Sequence, residues 1–195
     1  MYSLPLIALA SLATIALGAL NNTLEYRLKT EVKPHQRGKR FYDSLYLYSY
    51  HTGAGLGDAT FSRNSSLGIK GFLNPTNTSA PEAPNYVQEF DLGTEFAWSM
   101  YLAESDTAYS GWQPVRVDAG DGGSSTRGDG DGFFINSTGL QWTSAPGENA
   151  SLDSFGGWII CDWWHGVPQL FFKLSYYDSP LPSSCADIYL RPEYI

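Results

Sequence analysis

The residue pattern predicts an all-β, single-domain protein, an antiparallel β-sandwich or β-barrel that follows an N-terminal signal peptide. Three observations lead there. Apolar and polar residues alternate with a period of two in segment after segment. A hydrophobic content of 43%, with 15% aromatic residues, is enough to build a core. Twenty glycines and eleven prolines supply the turns that many short strands need. A chain of 195 residues is expected to form one core rather than two.

The N-terminus, MYSLPLIALASLATIALGAL, carries no charged residue. Its apolar centre spans residues 4–17 and is followed by the small residues Gly18 and Ala19. This is the layout of a secretory signal peptide, with cleavage expected near Ala19 and residues 20–195 forming the domain. A membrane span would need ~20 apolar residues and a positively charged flank, and this run has neither. Asn-x-Ser/Thr sequons at Asn21, Asn64, Asn77, Asn136 and Asn149 fit passage through a secretory lumen, whereas Asn74 is excluded by Pro75. The only two cysteines, Cys161 and Cys185, are read as one disulfide in an oxidising compartment. The expected location is therefore extracellular, including the cell wall, with no membrane span after cleavage.

The strands follow in order. Residues 24–32 place Leu24, Tyr26, Leu28, Thr30 and Val32 on one side and charged residues on the other. A basic loop, KPHQRGKR (33–40), comes next, and its Lys39 and Arg40 are read as loop residues rather than a processing site. Residues 41–50, FYDSLYLYSY, have two apolar faces and read as a covered strand. The following HTGAGLGDA is a turn, because its G-x-G-x-G spacing lacks the helix that a nucleotide-binding loop opens. Short strands are expected at 59–62, 68–73, 86–92, 96–102, 114–119, 133–136, 139–143, 158–164, 169–176 and 187–190. The proline-rich segment 74–85 and the glycine-rich segment 120–132 are loops. The densest apolar stretch is FGGWIICDWWHGVPQLFF (155–172), which reads as two strands and a tight turn.

Familiar catalytic signatures are missing: there is no G-x-S-x-G elbow, H-E-x-x-H helix or phosphate-binding loop, and no cofactor is expected. Asp162 and His165 are close enough in sequence to pair at the hairpin tip, with a structural role in the turn. Asp118, Asp121, Asp129 and Asp131 cluster around the glycine-rich segment, and Asp129 and Asp131 are calcium candidates that lack the further ligands of an EF-hand loop. Arg127, Gly128 and Asp129 form a tripeptide that arises by chance too often to carry weight. Aromatic faces stack on sugar rings, which makes Tyr46, Tyr48 and Tyr50, or Trp163 and Trp164 with His165, candidate ligand contacts, set against plain core packing. A net charge of −8 opposes binding to nucleic acid or to acidic lipid surfaces.

The segments GKRFYDSLYLYSYHTGAGLGDATF, FDLGTEFAW, GFFINSTGLQW, FGGWIICDWWHGVPQLFF and LPSSCADIYLRPEY, in that order, resemble a group of small secreted fungal proteins that carry a domain of unknown function. The order GLQW, GGWIIC, PQLFF and a final cysteine before a short strand is distantly similar to fungal cell-wall proteins of the phialide-associated and IgE-binding type. The resemblance implies compartment and architecture and brings no catalytic motif. The functional expectation is thus a glycosylated, non-enzymatic extracellular module that binds cell-wall polysaccharide, another glycan, a small apolar ligand or an extracellular protein. A secreted hydrolase with a glycosidase-like carboxylate pair and an effector acting through an apolar patch are the alternatives.

Overall fold

The computed structural model describes residues 24–76, 85–103, 111–122, 129–145, 153–163, 165–176 and 180–195. Within them lie twelve strands: β1 (Tyr26–Val32), β2 (Tyr46–Gly53), β3 (Leu56–Ser62), β4 (Lys70–Pro75), β5 (Tyr86–Asp91), β6 (Trp98–Leu102), β7 (Trp112–Ala119), β8 (Phe133–Asn136), β9 (Gly139–Trp142), β10 (Phe155–Asp162), β11 (Pro168–Leu174) and β12 (Cys185–Tyr194). The helical content of the described residues is confined to two single 3-10 turns, Arg40–Tyr42 and Ser65–Leu67. No helix among them is long and apolar enough to cross a membrane.

All pairings are antiparallel, and nine strands close a barrel to which the others are added. The circuit runs β12, β1, β4, β5, β6, β7, β3, β11, β10 and back to β12. Strand β2 bridges β1 and β3, and the β8–β9 hairpin hangs from β5. Closure removes the unpaired strand edges on which other chains could dock.

The alternation expected at the N-terminal strand is observed from Tyr26 onward, whereas Leu24, expected on the inward side, precedes the strand and is exposed. Tyr26, Leu28 and Thr30 are buried, and Arg27, Lys29 and Glu31 point outward. Most expected strands shift by one to three residues at an end, and two depart furthest. Residues 41–45 do not join β2, because Thr30 accepts from the Leu45 N–H and donates to the Tyr42 carbonyl, which holds the chain in a turn. The C-terminal strand extends on both sides of 187–190, since β1 offers it partners from Val32, opposite Ile188, to Tyr26, opposite Tyr194.

Leu28, Leu47, Phe61, Val117, Trp158 and Leu170 belong to the main core. Trp158 is essentially fully buried, and its indole N–H donates to the Leu140 carbonyl (2.6 Å), so burial leaves no polar atom unpaired. The disulfide joins Cys161 and Cys185, which face each other in register on β10 and β12. With Ile159 and Phe171 it forms a second, smaller cluster on the opposite side of the sheet from the core.

This two-sidedness positions the polar residues. Leu47, Ala59, Phe61, Val115, Val117, Leu170 and Phe172 face the core. Their strand neighbours Tyr48, Asp58, Thr60, Arg116, Asp118, Gln169 and Phe171 therefore face away from it.

Candidate functional site

Along that outward face, register lines up Tyr48, Thr60, Gln169 and Cys161 in one row and Tyr50, Asp58 and Arg116 in the next. The tip between β10 and β11 folds back over these rows. Trp163 reaches the Phe171 ring edge-on (5.3 Å between centroids), and the His165 Nε2 atom lies 2.6 Å from the Asp58 Oδ2 atom. The Tyr50 ring stacks on the imidazole at 4.3 Å and 23°. Both members of the His165–Asp58 pair are mostly buried, so the ring is fixed in place by a carboxylate on one edge and an aromatic face on another.

Next to this pair, Arg116 meets Asp118 at 3.0 Å, and the Gly57 N–H donates to the other Asp118 oxygen. Gln169 is buried, and its Oε1 atom has no hydrogen-bond partner among the described residues. Trp163, by contrast, is 48% exposed. The surface thus combines a planar aromatic group open to solvent with fixed, planar polar groups. Chemically, such an arrangement offers a stacking face beside hydrogen-bonding groups.

A second polar centre lies on the same outward side, where Glu89, Ser99 and Asp118 are in register across β5, β6 and β7. Strand spacing puts the α-carbons of Glu89 and Asp118 roughly 10 Å apart. Asp118 is committed to Gly57 and Arg116, whereas Glu89 lines a cavity of about 450 Å³ together with Asn74, Asp121 and Asp131. Asn74 donates to its Oε2 atom. Burial, reinforced by the nearby Asp121 charge, pushes the Glu89 carboxyl up to about 7 despite that hydrogen bond.

The sequence candidates are distributed unevenly over these centres. Trp163 and His165 are on the folded-back tip, and Tyr48 and Tyr50 on the rows beneath it, while Trp164 lies outside the described residues. Tyr46 is drawn elsewhere, its hydroxyl donating to Glu193 and its ring lying beneath the Lys29 ammonium. His165 takes Asp58 as its partner rather than Asp162. The latter is exposed, and its backbone N–H donates to the Tyr42 hydroxyl, because the fold-back carries His165 away from the strand end. Of the calcium candidates, Asp131 joins the Glu89 cavity, while Asp129 is exposed and bridges Leu102 through its backbone. No group of three or more His, Cys, Asp or Glu side chains among the described residues is arranged to hold a metal ion. Asp58, Arg116, Gln169, Glu89 and Asn74 were not singled out by the sequence. Alternation gives their orientation but not their long-range partners.

A family model described as a domain of unknown function, DUF7907, matches residues 23–194. The chain belongs to this family. Comparisons with curated proteins and with solved structures find no match. The DUF7907 match covers both centres, so each is part of the family domain rather than of an appendage.

Two of the sequons lie on the described surface of the DUF7907 domain. Asn64 and Asn136 are exposed. Each side-chain oxygen accepts from the backbone N–H two residues on (3.0 Å from Ser66, 2.8 Å from Thr138) and from the same residue's hydroxyl. These bonds engage the side-chain oxygen and not the amide nitrogen that a glycan would modify. Asn21, Asn77 and Asn149 lie outside the described residues.

Proposed function

We propose that this protein is a secreted, N-glycosylated, non-enzymatic module of the extracellular space or cell wall, which binds a neutral glycan at the folded-back β10–β11 tip. The observation that carries the reading is the exposed Trp163 beside an imidazole clamped between Asp58 and Tyr50. A sugar ring needs one apolar face and several fixed donors and acceptors, and this surface has both. The signal-like N-terminus, the disulfide and the exposed sequons at Asn64 and Asn136 support the compartment. The test is a glycan array probed with mature protein made in a glycosylating host. Binding to a neutral polysaccharide that W163A and H165A each weaken by about tenfold or more, the ~1.4 kcal/mol or more of one lost stacking or charge-assisted contact, is the expected result. Absence of binding to any neutral glycan sinks the reading.

A specific observation also favours a second reading, that of a secreted hydrolase. Glu89, its carboxyl pushed up to about 7 by burial, lines a cavity shared with Asp121 and Asp131, a setting that suits a carboxyl acting as a general acid. Hydrolysis of a panel of glycosides by the wild type, abolished by E89Q, would replace the binding reading with this one.

A further inference from the structure

Positive charge in this acidic protein is concentrated in one place. The connection between β1 and β2 contains Lys33, Arg37, Lys39 and Arg40, with His35 among them. Among the described residues elsewhere, Lys29, Lys70, Arg116, Lys173 and Arg191 each meet a carboxylate, while Arg27 and Arg63 do not. Only in the 33–40 connection do several unpaired cations lie together. Lys39 donates to the Ser183 carbonyl, and Lys33, Arg37 and Arg40 meet no carboxylate among the described residues. Asp43 is the one acidic residue among the described residues lining the cavity at this connection, and its Oδ1 atom accepts from the Val32 N–H (2.7 Å). Lys33 is half-buried over the Tyr189 ring, and burial lowers its pKa, an effect that Lys173 reinforces and Asp187 opposes.

The connection is held in shape by hydrogen bonds of its own. The Gln36 amide donates to the Lys33 and Asp187 carbonyls (3.1 and 2.7 Å), and its oxygen accepts from the Asp187 N–H (2.7 Å), tying the arch to β12. Binding there would not have to order the loop first.

We infer that this cavity, about 710 Å³ and lined by Lys33, His35, Arg37 and Arg40, is a binding site for an acidic saccharide bearing carboxylate or sulfate groups. The guanidinium groups of Arg37 and Arg40 match the oxygens of such groups through paired N–H donors. Phe41 also lines the cavity and is 48% exposed, giving a sugar ring an apolar face to lie on. Nucleic acid fits less well. A long phosphodiester backbone must run beyond the cavity over a surface whose net charge is −8. The site does not depend on the glycan reading of the β10–β11 tip, since it uses a different loop and a different chemistry.

The experiment measures binding of the full mature chain to four probes by calorimetry. They are an oligogalacturonate, a sulfated dextran oligomer, an uncharged dextran oligomer and a single-stranded DNA oligonucleotide of matched charge. At least one acidic saccharide is expected to bind with an affinity that R37A/R40A lowers, whereas any binding of the uncharged dextran, the chemistry of the β10–β11 tip, is expected to be unaffected by that change. The affinity for the acidic saccharide should fall at least about tenfold between about 50 and 200 mM NaCl. R37A/R40A should lose it by about tenfold or more, R37K/R40K, which keeps the charge but not the paired donors, should lose less than R37A/R40A without matching the wild type, and K70A, outside the cavity, should retain it. Thermal melts check that the variants stay folded. The proposal is overturned if neither acidic saccharide binds, if R37A/R40A weakens uncharged dextran as much, if the oligonucleotide binds as tightly, or if R37A/R40A binds the acidic saccharide like the wild type.

Discussion

Glu89 gives the sharpest test of the energetics. Its carboxyl is buried beside Asn74 and Asp121, and its pKa is raised from 4.5 to about 7. A folded-state pKa above the unfolded value means that the proton binds more tightly to the folded chain. Its contribution to stability is complete below about pH 4.5 and is lost as pH rises through about 7. At ~1.4 kcal/mol per pH unit, the ionised carboxylate costs about 3 kcal/mol at and above neutral pH. Glu89→Gln removes the charge and keeps an oxygen for Asn74 to bond. Urea unfolding of wild type and E89Q should therefore give similar stabilities near pH 4.5. The gap should open to about 3 kcal/mol in favour of E89Q by about pH 8. Comparing the two proteins at each pH cancels the other titrating groups. A difference that does not change with pH over this range refutes the reasoning, because it would mean that Glu89 titrates alike in the folded and unfolded chains.

Further outcomes follow from packing and backbone geometry. Gly139 has a φ of 105°, and a Cβ there would run into the Leu190 carbonyl, so G139A should cost about 3 kcal/mol or more. Gly93 also has positive φ (77°) but open space around it, so G93A should cost only ~1–2 kcal/mol, and equal losses would contradict the clash. Replacing both Cys161 and Cys185 with serine should cost about 3.5 kcal/mol by loop closure, given the sequence separation of 24, and a urea midpoint within error of wild type would refute this. Gln169→Met removes a buried amide whose Oε1 atom lacks a partner, so the variant should be at least as stable as wild type in thermal melts. A loss above ~2 kcal/mol would show that the amide is bonded after all.

Much of the architecture was legible in the residues alone, for a local reason. A strand that buries one face must alternate, so Tyr26, Leu28 and Thr30 announced an inward face before any partner strand was known. Two cysteines in a secreted pattern left one pairing to expect, and Cys161 and Cys185 do face each other across β10 and β12. The reversal around Gly55 was also readable, although most of the expected turn 51–59 is strand, β2 running on to Gly53 and β3 starting at Leu56. Boundaries were less so. Tyr42 alternates like a strand residue, yet its side chain is buried at a turn by a hydroxyl contact to Ser184, far along the chain.

The sites depended on what alternation does not encode. It states which way a side chain points, but not which strand lies beside it or where a loop returns. Asp58 and His165 are 107 positions apart, and they meet because the hairpin tip folds back over the sheet. Glu89 reads like any other strand carboxylate until neighbouring strands bury it and place the Asp121 charge near it. The basic segment 33–40 was visible as a charge run, but its lack of neutralising partners was not. Residue order along the chain settled the strands and the disulfide, which follow from local periodicity and from the number of cysteines. Barrel closure settled the candidate sites, because burial and electrostatic pairing depend on distances between strands far apart in sequence.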